Sequence, residues 1–326
     1  MLAYVTRRVL YAVPILLGVN LLTFLLFFVV NPPDAMARAI LGEKGSTPQA
    51  IENWKRERGY HLPRLYNREE KGLARITQTI FVQKSVSLLV FDFGYSDKDR
   101  DHIGAEMRRR IPASLSFTVP IFLLALFVDV VVAMVVAFYR ATYLDGVALF
   151  FCVIFMSVSG LFYIIGGQFL FGIWLGLTPI SGYGEGLTAA KFLVVPVLVG
   201  LAGGFGSGVR FNRTLFLEEI GKDYVRTARA KGLSEPRVLF LHVLKNAMIP
   251  ILTSVVFTIP FLFTGSLMTE AFFSIPGLGG FTIDAINAQD FAIVRCMVYL
   301  GSVLYIVAQI LTDTSYTLVD PRVRLG

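Results

Sequence analysis

The segment Ala113–Phe138 reads ASLSFTVPIFLLALFVDVVVAMVVAF, and Asp129 is its only charged residue. About 20 mostly apolar residues suffice to carry a helix across roughly 30 Å of hydrocarbon. Lipid supplies no hydrogen-bond partners, so a spanning segment must satisfy its own backbone; the period-2 alternation of a barrel strand is absent, and the segment is read as a helix. Working outward, five more segments meet the same test: Val9–Val30, Val147–Leu175, Phe192–Val209, Met248–Met268 and Phe291–Thr312. The expected fold is therefore all-α and integral to the membrane, with six transmembrane helices.

The whole chain agrees with that reading. Its 326 residues are 55% hydrophobic and 16% charged, with a mean hydropathy of +0.65, where a soluble domain carries about 25% charged residues. Disordered, collagen-like and disulfide-scaffold classes are excluded. Cys152 and Cys296 both lie in apolar runs and read as packing residues. Val9–Val30 resembles a secretory signal, with Arg7 and Arg8 before it and Ala35-Met36-Ala37 after it. At 22 residues it exceeds the roughly 7–15 of a signal core, so it reads as a span.

The net charge of +7 acquires meaning from where the cations sit. Residues 209–247 hold eight Lys and Arg, the N-terminus holds Arg7 and Arg8, the short 139–146 connection holds Arg140, and the tail holds Arg322 and Arg324. The connections 176–190 and 271–290 hold none. Basic residues in short loops stay cytoplasmic, which places both termini and the 210–247 loop inside. Residues 31–111 then form a large outer loop between the first and second spans, after residues 1–30 and before the membrane core 112–326. Its 15 basic and 11 acidic residues in 31–110 run against the charge rule, which long loops largely escape. Arg108-Arg109-Arg110 is expected on an interfacial helix, Ile103–Ile111, whose Ile103, Met107 and Ile111 recur every four residues. No convincing core is visible in this outer segment, which reads as a lid or docking surface.

The chain contains no Gly-x-x-x-x-Gly-Lys-Ser/Thr phosphate loop, no Gly-x-Ser-x-Gly elbow and no His-Glu-x-x-His. His61, His102 and His242 are scattered over separate loops, so neither a metal site nor a catalytic residue is expected. An ionisable group within the bilayer has a functional reading by default, because a carboxylate at mid-membrane costs about 2.5–3.5 kcal/mol on insertion scales. Asp129 either lines a wet path or pairs with a cation, or else makes a helix–helix hydrogen bond. Asp313 and Glu270, near span ends, read first as structural. Gly200, Gly204 and Gly208 form a small strip at four-residue spacing that lets another helix approach closely, in this chain or a partner. Pro120, Pro196, Pro250 and Pro260 are expected to kink their helices.

The 210–247 loop carries the densest information. Tyr224–Lys231 has helical propensity, with Glu218, Glu219 and Asp223 toward its start and Arg226, Arg229 and Lys231 toward its end, as the helix dipole favours. Gly232 stands where a left-handed residue ends a helix, Ser234 can cap the next one, and Pro236 is tolerated in its first turn. A helix–Gly–helix unit rich in arginine could bind DNA, but tethering between two membrane spans argues against nucleic acid. Thr227, Ala228, Ala230 and Gly232 leave a small surface that another protein could approach, against the alternative of a plain solvated loop.

At this point Arg226-Thr-Ala-Arg-Ala-Lys-Gly-Leu-Ser234 resembles the peptide-transporter version of the Glu-Ala-Ala loop (EAA motif) of binding-protein-dependent ABC importer permeases. Arg226-Thr227-Ala228 and Gly232 represent its Glu-Ala-Ala-x-x-x-Gly pattern. The likeness runs along the chain: Arg7-Arg8 with Pro14 and Phe24, Phe93-Gly94-Tyr95-Ser96, Pro112-Ala113-Ser114, Pro179-Ile180-Ser181-Gly182, Glu270-x-x-Phe273-x-x-Pro276-Gly277-Leu278-Gly279, and Asp313…Tyr316…Asp320-Pro321-Arg322. The N-terminal Arg-Arg and long outer loop look like the B-type half of di- and oligopeptide permeases. Two departures are Asn31-Pro32-Pro33-Asp34, where the family has a Pro-Gly-Asp-Pro-like turn, and Asp129, where a small residue is usual.

The resemblance implies a multi-pass protein of the prokaryotic inner membrane and one half of a heteromeric pore. A second permease would pair with it, two cytoplasmic subunits would bind ATP and Mg, and an extracytoplasmic binding protein would deliver substrate. This chain would bind no cofactor itself. Asp223, Arg226, Thr227, Ala228, Arg229, Ala230, Lys231, Gly232, Leu233 and Ser234 would form the coupling helix, with Arg226, Thr227, Ala228 and Gly232 at its contact face. Glu270–Gly279 reads as a structural outer turn or, more sharply, as a substrate gate. Peptides are the default substrate, and nickel, glutathione or oligosaccharides are alternatives within the class. A proton-coupled secondary transporter using Asp129 and Asp313 is the alternative outside it.

Overall fold

A computed structural model describes residues 2–184 and 186–319. Arg322 and Arg324 of the basic tail, and Asp320-Pro321-Arg322 of the family-like motif, lie outside the described residues. In chain order the principal helices are α1 (Thr6–Val30), α2 (Pro33–Gly45), α3 (Pro48–Arg58), α4 (Ile103–Phe138), α5 (Tyr143–Ser157), α6 (Gly160–Trp174), α7 (Ala189–Ile220), α8 (Asp223–Ala230), α9 (Glu235–Thr264), α10 (Leu267–Phe273), α11 (Leu278–Asn287) and α12 (Phe291–Ser315).

Five of these, α1, α4, α7, α9 and α12, are long and apolar enough to cross a membrane. The expected third span, Val147–Leu175, is not one straight helix: α5 and α6 meet at 89° and make a sixth crossing only as a broken pair. The cause is local. Val158 takes an extended backbone, and the Ser159 hydroxyl accepts from Phe162 N at 3.4 Å, so a new helix starts at Gly160 instead of the old one continuing. Other boundaries shift as well. The span expected to end at Val209 continues to Ile220, because Asn212, Phe216, Glu219 and Ile220 are buried along the extra turns. The next begins at Glu235, well before Met248, while Met268 belongs to α10. Pro120, Pro196 and Pro250 lie inside α4, α7 and α9 without ending them, and at Pro260 the chain tightens to a 3₁₀ turn over Ile259–Thr264.

The chain divides into two compact units. One contains residues 2–111 and 278–310. Its outer segment does have a core, contrary to the sequence reading: Met36, Ala37, Ile51, Trp54, Tyr60 and Ile80 pack with Phe24 and Phe28 of α1. The apolar residues are too widely spaced for any one window to reveal them. Ile103–Ile111 is no separate interfacial helix but the first turns of α4, with Ile103 and Met107 buried against Leu278, Phe281 and Ala285 of α11. Two of the neighbouring cations are paired, since Glu106 accepts from Arg109 at 2.9 Å and from Arg110 at 2.6 Å, and the Arg110 guanidinium lies 4.7 Å from the Phe281 ring centroid.

The Phe93-Gly94-Tyr95-Ser96 motif has a structural use in this unit. Gly94 turns at φ +65°, and Ser96 Oγ donates to the buried Asp290 carboxylate at 2.5 Å. Lys98 N and Asp97 N donate to the same carboxylate, each at 3.2 Å. Tyr60 OH donates to Asp97 at 2.8 Å, and the Asp97 carboxyl is held above the usual carboxylate range by burial and then by the nearby Asp290 charge.

The second unit covers residues 112–277 together with residues 311–319. Gly200 and Gly208 of α7 face α4 of the same chain, which settles what their spacing left open: a β-carbon at Gly200 would run into Ile121, and one at Gly208 into the Asp129 carboxylate. Gly204 has open space around it, whereas Gly206, not singled out by the spacing, lies against the Cys152 carbonyl and Met156 of α5. A further tie between α5 and α7 escaped the sequence reading. Arg213 makes a two-pronged ion pair with Asp145, Nε to Oδ1 at 2.9 Å and Nη2 to Oδ2 at 2.8 Å, with 17% and 10% of the two side chains exposed. Stranding one member of such a pair leaves a poorly hydrated charge. Arg213→Ala should therefore cost about 3 kcal/mol, and the Asp145→Ala, Arg213→Ala double variant should recover part of that loss, read from thermal unfolding of the purified protein in detergent.

Candidate coupling site and intramembrane polar groups

The candidate coupling element sits on a core of its own chain. Along α8, Val225 and Ala228 are three residues apart and share one face, where both are buried among Val238, Leu239 and Val243 of α9 and Val209, Phe216 and Ile220 of α7. Leu233 packs partly buried on the same cluster. This corrects the expected contact face. Ala228, 4% exposed, points into the chain and is closed to a partner. Asp223, Arg226, Thr227 and Ala230 are exposed at the i, i+3, i+4, i+7 spacing of the opposite face. The apolar pair Val225 and Ala228, followed by Leu233, is the signal in the sequence that could have fixed this phase.

Both ends of α8 are pinned. At its start, only Asp223 stands in the first turn; Glu218 and Glu219 belong to the last turn of α7, across the break at Gly221–Lys222. The buried Glu219 still reaches over, accepting from Lys222 Nζ at 2.5 Å and from Tyr224 OH at 2.5 Å. Burial and the Glu219 hydrogen bond push the Tyr224 phenol up to about 12, so it stays a donor. At the other end Gly232 adopts φ +78°, as its place in the sequence demands. Leu233 N donates to Ala228 O at 3.3 Å and Gly232 N to Arg229 O at 2.9 Å, the paired bonds of a Schellman stop. Ser234 precedes the next helix and Pro236 lies in its first turn, yet the Ser234 hydroxyl makes no capping bond.

Arg229 is exposed but engaged, donating to Glu235 at 2.8 and 3.1 Å, whereas Arg226 reaches only Asp223 at 3.5 Å and both side chains stay largely in solvent. Lys231 closes α8 as an exposed residue. The result is a short, rigid, mixed-charge rod seated on the ends of two long helices.

The intramembrane carboxylates fall in different places. Glu270 is 1% exposed and accepts from Ser114 Oγ at 2.8 Å and from Ser266 N at 3.3 Å. Its carboxyl occupies the space that β-carbons at Gly265 and Gly277 would need. These contacts join the start of the α4 apolar segment to the turns on either side of α10, where Gly265 (φ +68°) and Ser274 (φ +55°) have left-handed φ. Asp313 is half-buried near the end of α12. Asp129, 7% exposed in α4, lies against Gly208, and its Oδ1 has no hydrogen-bond partner. The three carboxylates form no cluster, and among the described residues no three His, Cys, Asp or Glu could hold a metal ion.

Comparison with known proteins matches the same elements. Residues 129–325 match the family model described as binding-protein-dependent transport system inner membrane component, and residues 1–118 match the model of its N-terminal region. A putative peptide transport system permease protein of Brucella abortus (strain 2308) is 31% identical over 329 residues, covering 99% of both chains. The dipeptide transport system permease protein DppB of Escherichia coli K12 is 28% identical, and the di/tripeptide transport system permease protein DppB of Pseudomonas aeruginosa 29% identical, each again over 99% of both chains. With five or six apolar spans and both parts of the family pattern present, the chain is a multi-pass inner-membrane protein that belongs to the binding-protein-dependent ABC importer permeases.

Proposed function

We propose that this permease forms half of the pore of an ATP-driven importer for di- or oligopeptides, or peptide-like solutes. A second permease completes the pore. Two cytoplasmic ATP-binding subunits, which use Mg and ATP, dock on the coupling loops, and an extracytoplasmic binding protein delivers the substrate. The chain crosses six times, with α5 and α6 as one broken span, both termini cytoplasmic and residues 31–111 outside. It has no ATPase site of its own.

The observation that carries this reading is the two-faced seating of α8. Its Val225 and Ala228 face is fused to the cores of α7 and α9, while Asp223, Arg226, Thr227 and Ala230 remain open. A displacement imposed on the open face would pass to both long helices as a rigid-body motion, and so rock the spans between outward- and inward-open states. The peptide assignment is supported by relatives from three genera that are named as peptide, dipeptide and di/tripeptide permeases.

Two measurements test the proposal on the complex reconstituted in proteoliposomes. A Thr227→Cys chain should cross-link to an ATP-binding subunit and to no other component. Uptake of a dipeptide should require ATP and the binding protein, and should not respond to a pH gradient alone. Uptake driven by a proton gradient without the ATPases would place the protein among secondary transporters and end this reading. ATP-dependent uptake of nickel or an oligosaccharide, with no peptide, would retain the machine and replace its cargo.

A further inference from the structure

Asp129 is an intramembrane carboxylate that lines a cavity. A space of about 240 Å³ is lined by Asp129, Phe122, Phe211, Asn212, Ser254 and Thr258, among others, all within the second unit. The two hydroxyls around it have spent donors, not acceptors. Ser254 Oγ donates to Pro250 O at 3.2 Å and Thr258 Oγ1 to Ser254 O at 2.9 Å, so both hydroxyls present only lone pairs to the cavity. Asn212 gives one N–H to Gly208 O at 3.0 Å and keeps its carbonyl oxygen and its second N–H. Asp129 Oδ1 has no donor at all, and no cation among the described residues pairs with the carboxylate. Gly208 is part of the design, since any side chain there would displace the carboxyl group.

An acceptor-rich lining with one negative charge and two aromatic rings describes a receptor for a cation that carries its own N–H donors. A divalent metal ion would ask for more anionic ligands than a single carboxylate, and the cavity offers no second one. Its volume is below the roughly 300 Å³ at which whole-ligand pockets begin, which suits one end of a solute better than all of it. We infer that Asp129, with Asn212, Ser254 and Thr258, forms a binding site for a primary ammonium group, taken up transiently by the amino end of the solute as it crosses the membrane. The inference rests on the importer reading above and adds to it a chemical class for what passes this point. It also accounts for the tolerated burial of an unpaired carboxylate: the partner arrives with the cargo.

The test uses the complete importer complex. A hydrophobic carbodiimide should modify Asp129, detected by mass spectrometry, and methylammonium chloride should slow that reaction about tenfold relative to sodium or magnesium chloride at equal ionic strength, the effect expected of a charged hydrogen bond. In proteoliposomes, Asp129→Asn should lower alanyl-alanine uptake about tenfold, with Asp129→Glu restoring most of it. Protection no better than that of sodium, or stronger protection by magnesium, overturns the ammonium site. So does unchanged uptake by Asp129→Asn. Loss of uptake in that variant without methylammonium protection assigns Asp129 to an ion pair with a partner subunit and also overturns the inference. If the unaltered complex imports no alanyl-alanine, the peptide reading fails by itself, while carbodiimide protection still decides the site.

Discussion

Ala230→Trp leaves the permease folded and inserted but reduces ATP-driven uptake at least about 30-fold, whereas Ala228→Glu, two residues earlier, removes the protein from the membrane altogether. The two alanines look equivalent in the sequence and lie on opposite faces of α8. Ala230 is exposed beside Arg226 and Thr227, where a bulky ring meets nothing of this chain but obstructs whatever docks there. Loss of an interface anchor costs about 2 kcal/mol or more, a factor of roughly 30. Ala228 is buried among Val225, Val238, Leu239 and Phe216, and a carboxylate placed there would enter an apolar cluster. An unpaired charge in such a cluster costs about 3–5 kcal/mol, a large part of the total stability of a typical domain. Uptake measured against the amount of inserted protein separates the two outcomes. Normal uptake by the Ala230 variant would remove α8 from the coupling pathway; normal accumulation of the Ala228 variant would mean that α8 is not seated as described.

Gly277→Ala is the second large effect, about 3 kcal/mol of destabilisation, the upper end for overpacking. The added methyl group would have to share space with the Glu270 carboxyl and would stand 2.5 Å from Ser114 Oγ. The carboxylate cannot retreat, because it is buried and already held by Ser114 and Ser266. Gly204→Ala is the internal control: nothing lies within 4 Å of the position its methyl group would take, so the change should stay within about 0.5 kcal/mol. Thermal unfolding of the purified complex compares them. Equal midpoints for the two variants would mean that the Glu270 knot does not hold the α10 turns, and would return that segment to the reading of a mobile gate.

Much of the candidate coupling site is legible in the chain itself. Gly232 was placed as a left-handed stop because a helix-forming run ends there, and the Schellman bonds follow from that one residue. Asp223 in the first turn and Arg229 in the last follow from dipole chemistry. The facing of α8 was available in the Val225–Ala228 spacing, although the motif drew attention to small residues whichever way they pointed. Glu219 was read as part of the α8 start; its real task, tying Lys222 and Tyr224 across the Gly221 break, depends on where α7 ends. That end was misplaced because apolar content marks where lipid stops, whereas the helix runs on as long as residues such as Asn212 and Phe216 have partners.

The sequence alone determined that this chain lives in a bilayer, that its spans are helical, and that a glycine-stopped rod interrupts a basic loop. These follow from local properties: the cost of an unsatisfied peptide group in hydrocarbon and the conformational freedom of one residue. Tertiary structure alone decided that Ala228 faces inward, that Gly200 and Gly208 receive Ile121 and Asp129, and that Arg213 finds Asp145. Each of those is a pairing between residues far apart in the chain. Hydropathy and spacing say that a side chain needs a neighbour, and only the packed helices say which one it gets.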